Sequence, residues 1–299
     1  MSQRFPAYNP RKGGAPGMID GLVRPSTMIA DSASEPVLSF ENIRIGFDKG
    51  DVLDGISFSV APRETKVLIG ETGTGKTLIL KLAAGLLQPD SGTVRMLGHD
   101  LGSMSEKELL AFRRKIGIVF QEGALFDSLT VADNVAYVLR EEHVSEEEIE
   151  PRVQESLRFV EMEDTMEKLP SELSGGMRRR VSIARALVSR PQVVLYDSPT
   201  AGLDPVTSQT IITLILRLRD TQGVTSLLAT HRLQDAFGLA NYRFDAASGR
   251  VLHLPGNGNS ESSAPATNFI VLRNGKIYFE GSPHDIAESD DAYLRKFLL

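Results

Sequence analysis

The sequence contains no cysteine, which excludes disulfides, thiolate metal sites and cysteine nucleophiles and is compatible with a reducing compartment. It also lacks an excess of base. Against 39 acidic residues stand 33 lysines and arginines, a net charge of −6, which argues against a nucleic-acid or anionic-membrane binder working through a basic surface. No apolar run approaches the roughly 18 residues that cross a bilayer. The segment Met1, Ser2, Gln3, Arg4, Phe5, Pro6 lacks the apolar core of a secretion signal. The expectation is a chain soluble by itself. What is present is 299 residues, 41% of them hydrophobic, enough to core one large domain or two ordinary ones. No internal repeat is visible.

The most informative stretch is Gly70, Glu71, Thr72, Gly73, Thr74, Gly75, Lys76 and Thr77, which satisfies the phosphate-loop pattern G-x-x-x-x-G-K-[ST]. The mainly apolar run 66–69 leads in as a strand and 78–82 leads out as a helix. The glycines let successive N–H groups point into one concavity, and the helix presents its positive end to the same anion. A nucleoside triphosphate is expected there. Lys76 would reach its β- and γ-phosphates, and the Thr77 hydroxyl would face Mg²⁺.

Around this loop the pattern is that of a parallel sheet covered by helices. Residues 1–35 hold Pro6, Pro10, Pro16 and Pro25 among glycines and polar residues and read as a flexible arm. The folded domain, expected over 36–299, opens with strands at 37–40 and 56–60. Further strands are expected at 116–120, 193–196 and 225–229, the last two bracketing a helix from about Pro205 to Thr221 in a βαβ unit. Ser105 with Glu108 and Ser145 with Glu148 read as capping boxes starting helices near 106 and 146. Pro151 predicts a kink or break in the second. Asn274-Gly275 between two apolar runs predicts a type I′ hairpin. The Gly-, Ser- and Asn-rich stretch at about 246–267 reads as an inserted surface loop.

A phosphate loop alone names no reaction, so partners are sought downstream. The apolar run 193–196 ends at Asp197, a carboxylate placed to hold Mg²⁺ opposite Thr77. Leu173, Ser174, Gly175, Gly176 and Met177 open an arginine-rich helix, a second anion-receiving end. Pro199 to Asp204 follows Asp197, and Thr230-His231 follows the next strand. In this order the set resembles the ATP-binding cassette family over about residues 37–290. The resemblance implies an α/β phosphate-loop NTPase with a mostly parallel core sheet, an antiparallel β subdomain and a helical subdomain at about 122–190. It implies that Phe47 stacks on adenine, that 70–77 are the Walker A loop, and that Gln121 contacts Mg²⁺ and the membrane partner. It further implies that 173–177 are the signature, that Asp197 ends Walker B, that Ala201 to Asp204 form the D-loop, and that His231 senses the γ-phosphate. Nucleotide would lie between two such domains, with Ser174, Gly175 and Gly176 of one closing over the Walker A loop of the other, so a dimer is implied.

Met177, where most relatives have glutamine, and the run from Glu122 to Val135 are similar to ATPase subunits of lipid transporters that work with MCE-domain proteins. That likeness implies an integral membrane permease as partner and a cytoplasmic chain held at the inner face of the inner membrane. Leu125, Phe126 and Leu129 would line the groove that receives the permease. One departure bears on chemistry. Most active members follow the Walker B aspartate with a glutamate that polarises the attacking water, and here Ser198 stands there. A serine hydroxyl cannot take up that proton at neutral pH, so slow turnover is expected. Three classes of function follow: a transport ATPase for lipid, a non-transport cassette acting on nucleic acid or the ribosome, and a regulatory subunit that clamps nucleotide without turning over. The single cassette and the acidic balance disfavour the second, and Ser198 sustains the third.

Overall fold

Every residue of Thr65–Ile69 and of Thr225–Thr230 is buried, and a strand buried on both faces must lie inside a sheet covered on both sides. That requirement organises the chain. The computed structural model describes residues 35–47, 50–254 and 266–296. The expected arm, apart from Glu35, and residues 255–265 of the expected surface loop lie outside them.

In chain order the strands β1 (Leu38–Phe47) and β2 (Gly50–Val60) pair antiparallel and alternate inward and outward residues, as half-buried strands do. β3 (Thr65–Ile69) feeds the phosphate loop and α1 (Lys76–Ala83); β4 (Ser91–Met96) and β5 (His99–Asp100) return to β1. α2 (Glu106–Arg113) carries the expected capping box of Ser105 with Glu108 and leads to β6 (Ile116–Val119). Three helices follow, α3 (Val131–Glu141), α4 (Glu146–Phe159) and α5 (Gly175–Leu187). Then come β7 (Val193–Asp197), α6 (Pro205–Gln222) and β8 (Thr225–Thr230), with β7 and β8 adjacent and parallel as a βαβ unit requires. The chain finishes with α7 (Leu233–Asn241), the hairpin β9 (Tyr242–Asp245) and β10 (Arg250–His253), the hairpin β11 (Thr267–Arg273) and β12 (Lys276–Gly281), α8 (Pro283–Glu288) and α9 (Ala292–Lys296). Asn274 and Gly275 both have positive φ, 50° and 73°, as a type I′ turn demands.

Three expectations are corrected. α4 runs unbroken through Pro151: the proline is exposed in the second turn, where the carbonyl of Glu147 loses one partner near solvent while Ile149, Val153 and Leu157 keep a buried stripe along the helix. Ser145 is the N-cap of α4 but forms no side-chain cap bond; Glu146, Glu147 and Glu148 supply the negative charge of its first turn. The stretch 246–267 is not all loop, because β10 and the first residue of β11 fall within it. A strand needs a partner more than a composition, and β9 provides one.

The central sheet has the order β12-β11-β3-β8-β7-β6, parallel from β11 to β6 with β12 antiparallel at the edge. Successive residues of its strands enter different cores. Val67 and Ile69 of β3, Val194 and Tyr196 of β7, and Phe269 and Val271 of β11 join the core built with α3 to α7. Leu68, Val193, Leu195, Ile270 and Leu272 join the core made with β1, β2, β4, α1 and α2. Period-two alternation thus sandwiches one sheet between a helical layer and an antiparallel β layer.

Candidate nucleotide site

Because β3, β8, β7 and β6 run parallel, their carboxyl ends share one edge, where ligands of open α/β sheets bind. Ile69 pairs with Thr230, Asp197 with Ala229, and Tyr196 with Val119. Gly70, His231 and Ser198, which follow their strands directly, and Gln121, two residues past the end of β6, therefore stand at consecutive strand ends about 4.8 Å apart per strand. Residues as distant in sequence as 70 and 231 become neighbours through sheet order alone.

The loop is shaped by backbone. Gly73 and Gly75 have φ of 84° and 96°, the region that favours glycine, and a Cβ at Gly75 would run into the Leu53 side chain. Gly75 is the N-cap of α1, with no side-chain cap and no acidic residue in the first turn, so the first N–H groups face an anion unopposed. Lys76 is buried, and its Nζ donates to the carbonyls of Gly70 at 2.8 Å and Glu71 at 2.7 Å and to Thr74 Oγ1 at 3.4 Å. Burial pushes the Lys76 ammonium below the ordinary lysine range, while the nearby Asp197 charge opposes that shift. Glu71, Thr72 and Thr77 are exposed, so the Thr77 hydroxyl is open to a ligand.

Asp197 ends β7 and accepts from Ser198 Oγ at 3.3 Å. Ser198 is buried with φ of 47°, its N–H donating to Ala229 O at 2.8 Å and its carbonyl accepting from Ala201 N at 3.0 Å. Sequence reasoning missed the cluster behind it. The buried Asp235 of α7 accepts from the hydroxyls of Thr200 and Thr230, and Arg232 donates to Thr200 O at 3.2 Å and Ser208 Oγ at 2.8 Å. These bonds tie the turn after β7 to the turn after β8, on either side of Ser198 and His231. Burial pushes the Asp235 carboxyl above the ordinary carboxylate range, against the opposing effect of Thr200 and Arg232. His231 itself is exposed at the edge.

The remaining candidates lie farther out. Phe47 is 60% exposed, so it is not a core aromatic and its ring is free to stack. Gln121 is exposed immediately after the Phe120 carbonyl, to which Arg179 Nη1 donates at 2.7 Å; the same guanidinium reaches Ala201 O at 3.4 Å. Arg179, also missed, had a signal: it falls three residues after Gly176 and four before Ile183, on the face of α5 that packs inward. Ser174 caps α5, accepting from Met177 N at 3.2 Å, and a Cβ on Gly176 would meet Thr207 of α6. No hydrogen bond among the described residues joins Ser174, Gly175 or Gly176 to residues 70–77. Asp204 caps α6, accepting from Val206 N and Thr207 N at 3.0 Å each, and hydrogen bonding from the Thr207 side chain first, then from these backbone N–H groups, holds its carboxyl below the ordinary range.

Among the described residues no three His, Asp or Glu side chains form a self-sufficient metal cage. One strand-end carboxylate and one open hydroxyl do fit Mg²⁺, which is commonly held by one or two carboxylates, waters and substrate phosphates.

A phosphate loop and a strand-end aspartate on the carboxyl edge of one sheet define a nucleotide-binding cassette of the phosphate-loop class. Comparison with known proteins is narrower. A family model described as ABC transporter matches residues 53–201. The chain is 35% identical over 230 residues to the intermembrane phospholipid transport system ATP-binding protein MlaF of Haemophilus influenzae, covering 76% of this chain and 86% of that one. It is also 35% identical over 226 residues to the methionine import ATP-binding protein MetN of Bifidobacterium longum, covering 73% of this chain and spanning 56% of that protein's length. The solved dimeric, post-hydrolysis structure of the ATP-binding cassette MJ0796 with ADP and Pi superposes with a TM-score of 0.68 at 27% identity, over 82% of this chain and 98% of that one. The chain belongs to the ABC transporter family, as an ABC-type ATP hydrolase. Among the described residues no helix is long and apolar enough to cross a membrane.

Proposed function

We propose that this chain is the ATPase subunit of a lipid transporter, working as a homodimer on an integral membrane permease of the MCE-associated kind at the cytoplasmic face of the inner membrane. The observation that carries the lipid reading is the match to MlaF across 86% of that protein, against 56% for the equally identical methionine importer. Met177 and the segment from Gln121 to Val135 point the same way. Phe126 supports a docking role for that segment: it is 43% exposed and its ring lies 4.7 Å from that of Tyr137, tilted by 41°; Tyr137 is itself 41% exposed, and the two make a small aromatic surface beside half-buried Leu125 and Leu129.

In this reading the N–H groups of residues 73–77 and the Lys76 ammonium receive the β- and γ-phosphates. Thr77, Asp197 and Gln121 would hold Mg²⁺, which when bound neutralises charge on the transferred phosphoryl group. Phe47 stacks on adenine. His231 donates to the γ-phosphate, and Ser174, Gly175 and Gly176, with Asp204 beside them, close over the loop of the second subunit. ATP then binds the closed dimer more tightly than the open one, and that difference drives the permease. Hydrolysis needs water oxygen to bond to the γ-phosphorus as the bond to the ADP oxygen breaks, and the water proton must be taken up. Ser198 cannot accept it. This favours a second reading, a cassette that clamps nucleotide and turns over little, because the Ser198 hydroxyl points its proton at Asp197.

Co-purification with a permease tests the transport reading. Leu125→Asp combined with Phe126→Asp is expected to abolish the complex while leaving ATP affinity within the error of the parent. A complex that survives the double substitution places docking elsewhere.

A further inference from the structure

Arg179 is a buried guanidinium with no carboxylate in ion-pair contact among the described residues. Its Nη1 and Nη2 donate to backbone carbonyls of two different turns, Phe120 just after β6 and Ala201 after β7. Burial lowers its proton affinity, and the charges of Glu122 and Asp197 offset that only in part. A second arginine of the same helix, Arg185, donates to Gly123 O at 3.0 Å and Ala124 O at 2.7 Å. α5 therefore grips the chain around Gln121 through the carbonyls of Phe120, Gly123 and Ala124, and of these two arginines only Arg179 extends the grip to the turn that carries Ser198.

We propose that Arg179 is a positioning residue that sets the Gln121 side chain against the Asp197 edge by clamping the Phe120 carbonyl to the Ala201 turn. The proposal rests on the reading of Gln121 as a metal-facing residue. Gln121 follows directly on the clamped carbonyl and lies in an exposed turn where, among the described residues, its side chain makes no hydrogen bond, so its direction is inherited from the backbone that Arg179 holds. A merely electrostatic role makes the opposite prediction. Removing a cation beside Asp197 would strengthen the attraction of that carboxylate for a divalent ion, whereas releasing Gln121 would weaken it.

The test is equilibrium binding of a fluorescent, non-hydrolysable ATP analogue to the full chain, titrated with MgCl₂ and repeated in EDTA. Arg179→Met is expected to raise the half-saturating Mg²⁺ concentration by roughly tenfold, the low end for losing a group that orients a metal ligand, with affinity in EDTA unchanged. Arg179→Gln, which keeps one donor for Phe120 O, should lie between parent and Arg179→Met, and it carries the test if the methionine variant does not fold. Arg185→Met should retain the parent's Mg²⁺ response. A half-saturation that is unchanged or lower in both Arg179 variants overturns the proposal. Gln121→Ala separates the two levels: if it shifts the Mg²⁺ response and the Arg179 variants do not, only the positioning role fails; if it shifts nothing, the metal-facing reading of Gln121 fails and takes the proposal with it.

Discussion

Ser198 donates its hydroxyl to the carboxylate of Asp197, Oγ to Oδ1 at 3.3 Å, from a backbone held at φ +47°. The left-handed conformation is maintained on both sides, by the Ser198 N–H on Ala229 O and the Ala201 N–H on Ser198 O. For a residue other than glycine this conformation costs about 1 kcal/mol, and the cost would be similar for a glutamate. Position 198 is thus a turn whose backbone conformation makes the same demand of a serine and a glutamate.

Ser198→Glu should accordingly fold like the parent and raise steady-state ATP hydrolysis by about 10²-fold, the low end of what a positioned general base contributes. Phosphate release at saturating ATP measures it. The idea is falsified if the parent already turns over at the rate of the glutamate variant.

Lys76 donates to Gly70 O and Glu71 O, and in the site reading the same ammonium serves the phosphates. Lys76→Ala should weaken binding of an ATP analogue by roughly 10- to 100-fold, the range for losing a charge-assisted hydrogen bond. Thermal stability without nucleotide should move little. An unchanged dissociation constant would count against the phosphate role.

Asp235 gives a pH dependence of defined sign. Burial raises its folded-state pKa, so the folded chain holds a proton that the unfolded chain has released. Stability from this group is complete below the ordinary carboxylate pKa of about 3.9 and is lost as pH rises toward the raised folded value. Asp235→Asn, which cannot ionise, should remove that loss, so the stability of the variant relative to the parent rises with pH across this window. Denaturant midpoints at a series of pH values decide it, and a constant difference would show that Asp235 does not titrate differently on folding.

Arg219 is 1% exposed and pairs with Asp220 at 2.7 Å while donating to Leu239 O, Tyr242 O and Thr267 Oγ1. Asp220 in turn accepts from Phe244 N at 2.6 Å. The pair fastens α6 to the end of α7, to β9 and to β11. Arg219→Met leaves Asp220 buried and uncompensated, and should cost about 3–5 kcal/mol, read as a fall in the denaturation midpoint. A loss below the error of the measurement would mean that water replaces the guanidinium.

Local chemistry made several features legible. The Asn274-Gly275 turn needs only two residues that tolerate positive φ, and the α2 cap needs only Ser105 and Glu108 three apart. Pro151 and Ser145 misled for the same reason. Each has a local preference that the buried stripe of α4 and the charge of its first turn override. The strand β10 was hidden because Arg250, Val251, Leu252 and His253 are ordered by pairing with β9, not by their own alternation.

By itself the sequence determined the phosphate loop, because glycines, a lysine and a threonine at fixed spacing dictate a backbone concavity through short-range sterics. It also determined that a carboxylate at 197 is followed by a hydroxyl and not by a second carboxylate. Only the tertiary structure decided what these residues face. The order β11-β3-β8-β7-β6 brings positions 70, 121, 198 and 231 to one edge, and no spacing along the chain encodes that order, since parallel neighbours are joined by crossovers of arbitrary length. The contacts of Arg179 with Phe120 and Ala201 and of Asp235 with Thr200 belong to the same level: a buried polar group takes whichever partners packing presents to it, and these lie tens of residues away in the chain.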